Sequence, residues 1–417
     1  MEGQDSKSGI CVIIGASHAG VNCAFALRRE GWAGPILIFD RDPEMPYHRP
    51  PLSKTYLTDA NGQGQNLLKP LESYTHENID LKLGIWVNEI DPEGKSIVLE
   101  DGQVQPYTKL VLATGARPLI PPIPGIDMAK NLFLLRTAKD VAAIKKAIKE
   151  NGNGEVLVIG GGYIGLEIAA SLKKMNLKVT LLEREERVLA RVTAPEMSTF
   201  FEELHEKNGV SLFTGKDVVE IKTDETRNQV LCADGSSFNA DIIIVGVGIR
   251  VNTELAEKIG LDIQNGIQVN ETARTSNADI YAIGDCTLHH NPHYNRYVRL
   301  ESVQNAVDQA KIAAASICGK EVVYNAIPWF WSDQYQIKLQ MTGLSQGYDE
   351  AIQRIEKDKE NCFSVWYFKG DELLAVDAIN NAKAYVLGMR FIQARQKLDK
   401  SKVGDSSIPI KPTSFLA

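Results

Sequence analysis

Short solid runs of apolar residues punctuate this chain, separated by stretches in which apolar positions return at helical spacing. Val156-Leu157-Val158-Ile159 is four apolar residues, three of them β-branched, and predicts a strand of a parallel sheet buried on both faces. Similar runs at 10–14, 35–39, 110–113, 240–245 and 280–283 predict further strands, and helices are expected at 21–29, 138–150 and 301–315. Shorter strands fit 81–83 and 96–99. The character changes at Pro328, beyond which strands at 336–341, 362–368 and 373–379 precede a helix at 383–397 and a polar tail. An α/β chain is expected, with two doubly wound, Rossmann-like parts and a small C-terminal α+β part. The expected domains are 1–118 with 247–327, then 119–246 inserted within it, then 328–417.

The turns that leave these strands carry the chemistry. After Ile159 come Gly160, Gly162 and Gly165, the G-x-G-x-x-G spacing, and a helix continues through Leu172. The first glycine permits a tight turn, the second lets a pyrophosphate approach the backbone, and the third lets helix pack on strand. The anion then meets free N–H groups at the positive end of the helix. Glu183 ends the next strand 21 positions after Gly162, where a ribose 2′-hydroxyl needs an acceptor, which favours NADH over NADPH. Arg184 beside it pulls toward a 2′-phosphate. The same pattern stands at Gly15-Ala16-Ser17-His18-Ala19-Gly20, with Ser17 in the middle place, followed by Asp40, with Asp42 as a near alternative. Two such turns in one chain point to two adenine dinucleotides. Asp285, directly after a strand and Gly284, stands where a backbone N–H or a carboxylate can meet a cofactor.

At 417 residues the chain exceeds one core. Its composition, 44% apolar and 24% charged, is that of a globular protein, with no apolar tract long enough for a bilayer. The polar start lacks a signal-peptide core, so a cytoplasmic enzyme is expected. The net charge of −7 argues against nucleic acid. The six cysteines, at 11, 23, 232, 286, 318 and 362, form no C-x-x-C and no ligand spacing, so neither a metal site nor a redox dithiol is expected.

Pro46-Tyr47-His48-Arg49-Pro50-Pro51-Leu52-Ser53-Lys54 reads as a stiff loop holding one ammonium, with Ser53 capping a helix that begins near Lys54. His48 reads as a loop hydrogen-bonder. Between Lys383 and Lys402 six basic residues face one acid, a solvated helix face or a docking patch.

Pro50–Lys54, Ala113-Thr114-Gly115, 160–167, Gly284-Asp285-Cys286 and Glu301-Ser302-Val303 together resemble the FAD-dependent, NADH-oxidising ferredoxin reductases of the putidaredoxin reductase type. Pro328-Trp329-Phe330-Trp331-Ser332-Asp333-Gln334-Tyr335 and 404–409 are the most specific part, and the resemblance runs over essentially the whole length. It implies a glutathione-reductase-like pair of dinucleotide domains plus the C-terminal domain. It implies FAD at Gly15, Ala19, Gly20, Asp40, Lys54 and Val87, at Ala113, Thr114, Gly115 and Arg136, and at Gly284, Asp285, Val303 and Trp331. It implies NADH at Gly160, Gly162, Tyr163, Ile164, Gly165, Glu167 and Glu183. Lys54 and Glu167 are implied to flank the reactive face of the flavin, the lysine stabilising the anionic reduced ring, while Trp331 either assists electron exit or packs.

The function this implies is electron transfer from NADH through FAD to a [2Fe–2S] ferredoxin serving a cytochrome P450 or a ring-hydroxylating dioxygenase. Lys311, Lys338, Arg390, Arg395 and Lys411 are the docking candidates for an acidic ferredoxin. Rubredoxin, monodehydroascorbate or a quinone are rival acceptors. A flavoprotein resembling apoptosis-inducing factor, sensing NADH rather than turning it over, is the rival of another class.

Overall fold

The structure is a computed structural model that describes residues 8–59, 66–152, 154–224 and 227–417. Its described residues divide into two compact units. The first takes those up to His48, from 66 to Arg117 and from Arg250 to Pro328; the second takes 49–59, Pro118–Ile249 and Trp329–Ala417.

The first unit is organised on a five-stranded parallel sheet. Its order is Ile280–Ala282, Lys109–Leu112, Cys11–Ile14, Ile36–Asp40 and Ile79–Leu83. The strand Cys11–Ile14 is buried along its whole length. The helices His18–Arg29 and Val303–Ile317 cover one face, with Ala24, Leu27, Ala310 and Ala314 almost wholly shielded from solvent. Small residues there let the two helices lie close on the sheet.

The second unit repeats the plan. Ser211–Phe213, Lys178–Leu182, Glu155–Ile159, Ile242–Val245 and Leu132–Leu134 form a parallel sheet, and the glycine turn again leaves the third strand of five. Each unit also carries a three-stranded antiparallel meander: Val87–Asp91, Ser96–Leu99 and Val104–Pro106 in the first, Val218–Thr223, Asn228–Cys232 and Ser237–Ala240 in the second. Hydrophobic patterning found only one of these six strands. They are short and half-exposed, so they alternate weakly.

Also within the second unit, residues 329–417 build an antiparallel sheet in the order Trp329–Gln334, Ile337–Gly343, Glu372–Ile379, Phe363–Lys369 and Glu350–Ile355. The helix Ala382–Gln393 packs on it, so closely at Gly388 that an added Cβ would lie 2.5 Å from Val376 Cγ2. Two expectations are corrected here. The helix ends at Gln393 rather than 397, because Arg395 turns the chain with a φ of +48°. The tail is not simply polar: Phe415 is fully buried against Trp366. Arg354, 1% exposed, donates to the carbonyls of Val403, Asp405 and Ile408, clamping the tail to the sheet. Among the described residues no helix is long and apolar enough to cross a membrane.

Candidate active site

In the first unit, Gly15 turns the chain at a φ of +114°, and a Cβ there would lie 2.2 Å from the Ala113 carbonyl oxygen. A Cβ on Gly20 would lie 1.9 Å from the Gly15 oxygen, so the helix can seat on the turn only with glycine there. Ser17 sits at φ −105° and ψ −160°, extended backbone open to any residue, which is why a serine is tolerated in the middle place. Asp40 closes the turn from behind: one carboxylate oxygen accepts from the Ala16 amide at 2.6 Å, the other from the Asp42 amide at 2.8 Å. Asp42 instead accepts from the Glu44 amide and the Tyr47 hydroxyl.

The rest of this cleft is held by backbone and amide bonds. Gly284, at φ +83°, brings its turn against the start of the helix, where a Cβ would meet Ala19 Cβ at 3.0 Å. Buried Gln309 fixes that turn, its oxygen accepting from the Gly284 amide at 2.7 Å and from the Thr287 hydroxyl at 3.0 Å. Thr114 and Asn252 exchange two hydrogen bonds that set the Ala113-Thr114-Gly115 corner. Val87 is buried, and Val303 begins a helix that Ser302 caps through the Asn305 amide.

The second unit reproduces the turn. Gly160 stands at φ +112°, and a Cβ on Gly165 would lie 1.9 Å from the Gly160 oxygen. Gly162 is extended, with open space where its side chain would be. Glu183 accepts from the Gly161 amide at 2.5 Å and the Glu185 amide at 2.8 Å. Neither dinucleotide-type helix is closed by a side-chain cap, whereas those beginning at Ala138, Val303 and Ala382 are. Both turns therefore offer backbone N–H groups and close approach, the shape a pyrophosphate requires.

One turn into the helix Tyr163–Lys174 lies Glu167, 2% exposed. Lys54 Nζ meets its Oε2 at 2.7 Å, and the Ser53 hydroxyl donates to the same oxygen at 2.6 Å. The Ser332 hydroxyl donates to Oε1 at 2.6 Å. Burying a carboxylate costs several kcal/mol; three charge-assisted hydrogen bonds, each about 1.5–3 kcal/mol, offset it. One expectation is not met: Ser53 does not cap the helix beginning at Thr55, because the N-cap place falls to Lys54 while Ser53 ends the preceding turn Pro50–Ser53, its hydroxyl donating to Glu167. Ser332 gave a sequence signal only in hindsight, as a polar residue at an inward position of a strand.

Trp331 is half-buried on the opposite face of that strand from Ser332, its ring 5.6 Å from that of Trp329. Tyr163 packs on Phe330 at 4.9 Å, while Ile164 is exposed. Arg136 donates its amide to Asp140, and its carbonyl accepts from Arg49. Lys311, Lys338, Arg390, Arg395 and Lys411 are all exposed, Lys311 pairing with Asp308. The six cysteines are buried, and none of them is in a disulfide. Burial pushes the Cys11 thiol up to about 12 and raises Cys23, Cys232, Cys286 and Cys362, so none of these five is poised as a thiolate nucleophile.

Comparison with known proteins agrees with this construction. Residues 10–310 match the family model described as pyridine nucleotide-disulphide oxidoreductase, and residues 329–414 match the one described as reductase C-terminal. The chain is 43% identical to putidaredoxin reductase CamA of Pseudomonas putida, over 96% of this chain and 95% of that protein. It belongs to the putidaredoxin reductase-like ferredoxin reductases. The crystal structure of the covalent putidaredoxin reductase–putidaredoxin complex superposes on this ferredoxin reductase with a TM-score of 0.91 at 42% identity, covering 96% of this chain and 97% of that one. A rubredoxin-NAD(+) reductase of Pseudomonas putida is 37% identical, over 89% of this chain and 96% of its own length. Membership implies a flavin and a nicotinamide cofactor for the ferredoxin reductase.

Proposed function

We propose that this chain is an NADH-dependent, FAD-containing reductase that passes electrons one at a time to a small [2Fe–2S] ferredoxin supplying a cytochrome P450 or a ring-hydroxylating dioxygenase. The balance is one NADH and two oxidised ferredoxins giving NAD+, two reduced ferredoxins and a proton. The observation that carries this reading is the ion pair of half-buried Lys54 with buried Glu167, which lies on the helix that leaves the second glycine turn. Bound flavin supplies the step between two-electron and one-electron chemistry. The turn at Gly15, Ala19 and Gly20, with Asp40, is assigned to FAD, together with Val87, Ala113, Thr114, Gly115, Gly284, Asp285 and Val303. Lys54, Arg136 and Trp331 complete that assignment. The turn at Gly160, Gly162 and Gly165, with Tyr163, Ile164 and Glu183, is assigned to NADH. Lys54 holds a positive charge for the reduced ring, and Glu167 orients that ammonium and the nicotinamide amide. A cytoplasmic setting accords with six unbridged cysteines.

The relative that reduces rubredoxin makes rubredoxin the rival acceptor. The test is steady-state turnover of the flavin-loaded protein under NADH with a [2Fe–2S] ferredoxin, rubredoxin, a quinone and monodehydroascorbate offered in turn. Ferredoxin should be reduced fastest, and its second-order rate should fall as salt rises, since Lys311, Lys338, Arg390, Arg395 and Lys411 are assigned to an acidic partner. Faster reduction of rubredoxin or quinone would overturn the choice of acceptor, and a flat salt response would remove the charge-steered docking.

A further inference from the structure

Glu167 ends a longer line of buried polar groups, all within the second unit. The Gln334 amide nitrogen donates to Ser332 Oγ at 3.3 Å. Gln334 Oε1 lies 2.8 Å from His205 Nε2, and the Tyr335 hydroxyl lies 3.5 Å from His205 Nδ1. Ser332 and Gln334 are each 1% exposed, and His205 is fully buried. A carboxylate only accepts, so the Ser332 proton is committed to Glu167. The Ser332 oxygen must then receive its hydrogen bond from the Gln334 NH2 group. That turns the Gln334 carbonyl toward His205, which must carry its proton on Nε2, leaving Nδ1 bare to accept from Tyr335. One charge thus dictates an amide orientation and an imidazole tautomer that heavy-atom positions alone leave open. Burial also pushes His205 down to about 4, which keeps the ring neutral at working pH.

We propose that Gln334 and His205 are positioning residues for the Lys54–Glu167 pair, acting through Ser332. Every donor in the line points toward Glu167, so the line fixes one carboxylate oxygen and leaves the other to Ser53 and Lys54. The proposal rests on the reductase reading for its kinetic consequence, but not for its structural one.

The structural test is the tautomer of His205 in the flavin-loaded protein, read from ring 15N shifts. Wild type should show Nε2–H, without titration between pH 5.5 and 8, roughly the range over which an unperturbed histidine titrates. Glu167→Gln can donate to Ser332 and reverse the line, so His205 should move to Nδ1–H. An unchanged tautomer would overturn the proposal. The kinetic test is flavin reduction by NADH in single turnover. Gln334→Leu should slow it about tenfold while the NADH concentration for half-saturation stays within about twofold. In the Glu167→Gln background the same change should cost nothing further. An equal loss in both backgrounds would make Gln334 a packing residue. If Gln334→Leu does not fold, Ser332→Ala breaks the same line with a smaller change, and Ser332→Thr should restore the rate. Should wild type fail to accept hydride at all, the reductase reading falls while the tautomer result still stands or falls alone.

Discussion

The two glycine turns of this molecule solve one problem with different side chains. Both use glycine in the first and last places, where a Cβ would collide with a carbonyl oxygen: 2.2 and 1.9 Å in the first turn, 2.5 and 1.9 Å in the second. Both hold the turn with a carboxylate from the end of the next strand. They differ in the pair that meets there. The first turn uses Ala16 with the shorter Asp40; the second uses Gly161 with the longer Glu183. A Cβ added to Gly161 would stand 3.0 Å from Glu183 Cβ, Glu183 Oε2 and Val188 Cγ1. In the second turn the glutamate, together with Val188, crowds the place where an alanine methyl would stand. The comparison teaches that the two outer glycines are fixed by backbone geometry, while the residue after the first glycine is fixed by the acid opposite.

The sharpest way to break the comparison is at the last glycines. Gly20→Ala should cost the first unit its flavin, giving a pale protein on purification. Gly165→Ala should keep the yellow colour and normal reduction by dithionite, yet slow reduction by NADH by about 100-fold, the loss expected from a displacement near 1 Å at a reacting pair. If both variants lost colour, or neither did, the assignment of one turn to each cofactor would be wrong.

A smaller effect probes the pairing of acid and neighbour. Gly161→Ala and Glu183→Asp should each weaken NADH binding by about tenfold, equivalent to about 1.4 kcal/mol. Together they rebuild the first turn's arrangement and should recover to within about twofold of wild type. Additive losses in the double variant would show that the two positions do not share space, since residues in contact are expected to couple.

These turns were legible in the sequence because their requirements are local. A positive φ needs glycine, and a buried parallel strand needs an unbroken apolar run. Asp40 and Glu183 were legible as positions, and their bonds to the turn amides are the structure's addition. The surroundings of Glu167 were less so. Ser53, Ser332 and Gln334 come from segments separated by up to 281 positions, and a serine within an apolar strand reads the same whether it faces solvent or a buried carboxylate. Gln309, which pins the Gly284 turn, was hidden for the same reason. The two meanders were nearly invisible because half-exposed short strands alternate poorly, and the buried Phe415 stood too isolated in a polar tail to announce a core contact. The resemblance to the ferredoxin reductases supplied what periodicity did not, the roles proposed for Lys54, Glu167 and Trp331.

The central claim is that electrons enter this protein as a pair from NADH and leave singly to an iron–sulfur protein. The most direct measurement is an anaerobic titration of the flavin-loaded protein with NADH in the presence of excess oxidised [2Fe–2S] ferredoxin, followed by absorbance. The account predicts two ferredoxins reduced for each NADH consumed. Flavin that bleaches with one equivalent of NADH while the ferredoxin stays oxidised would contradict it.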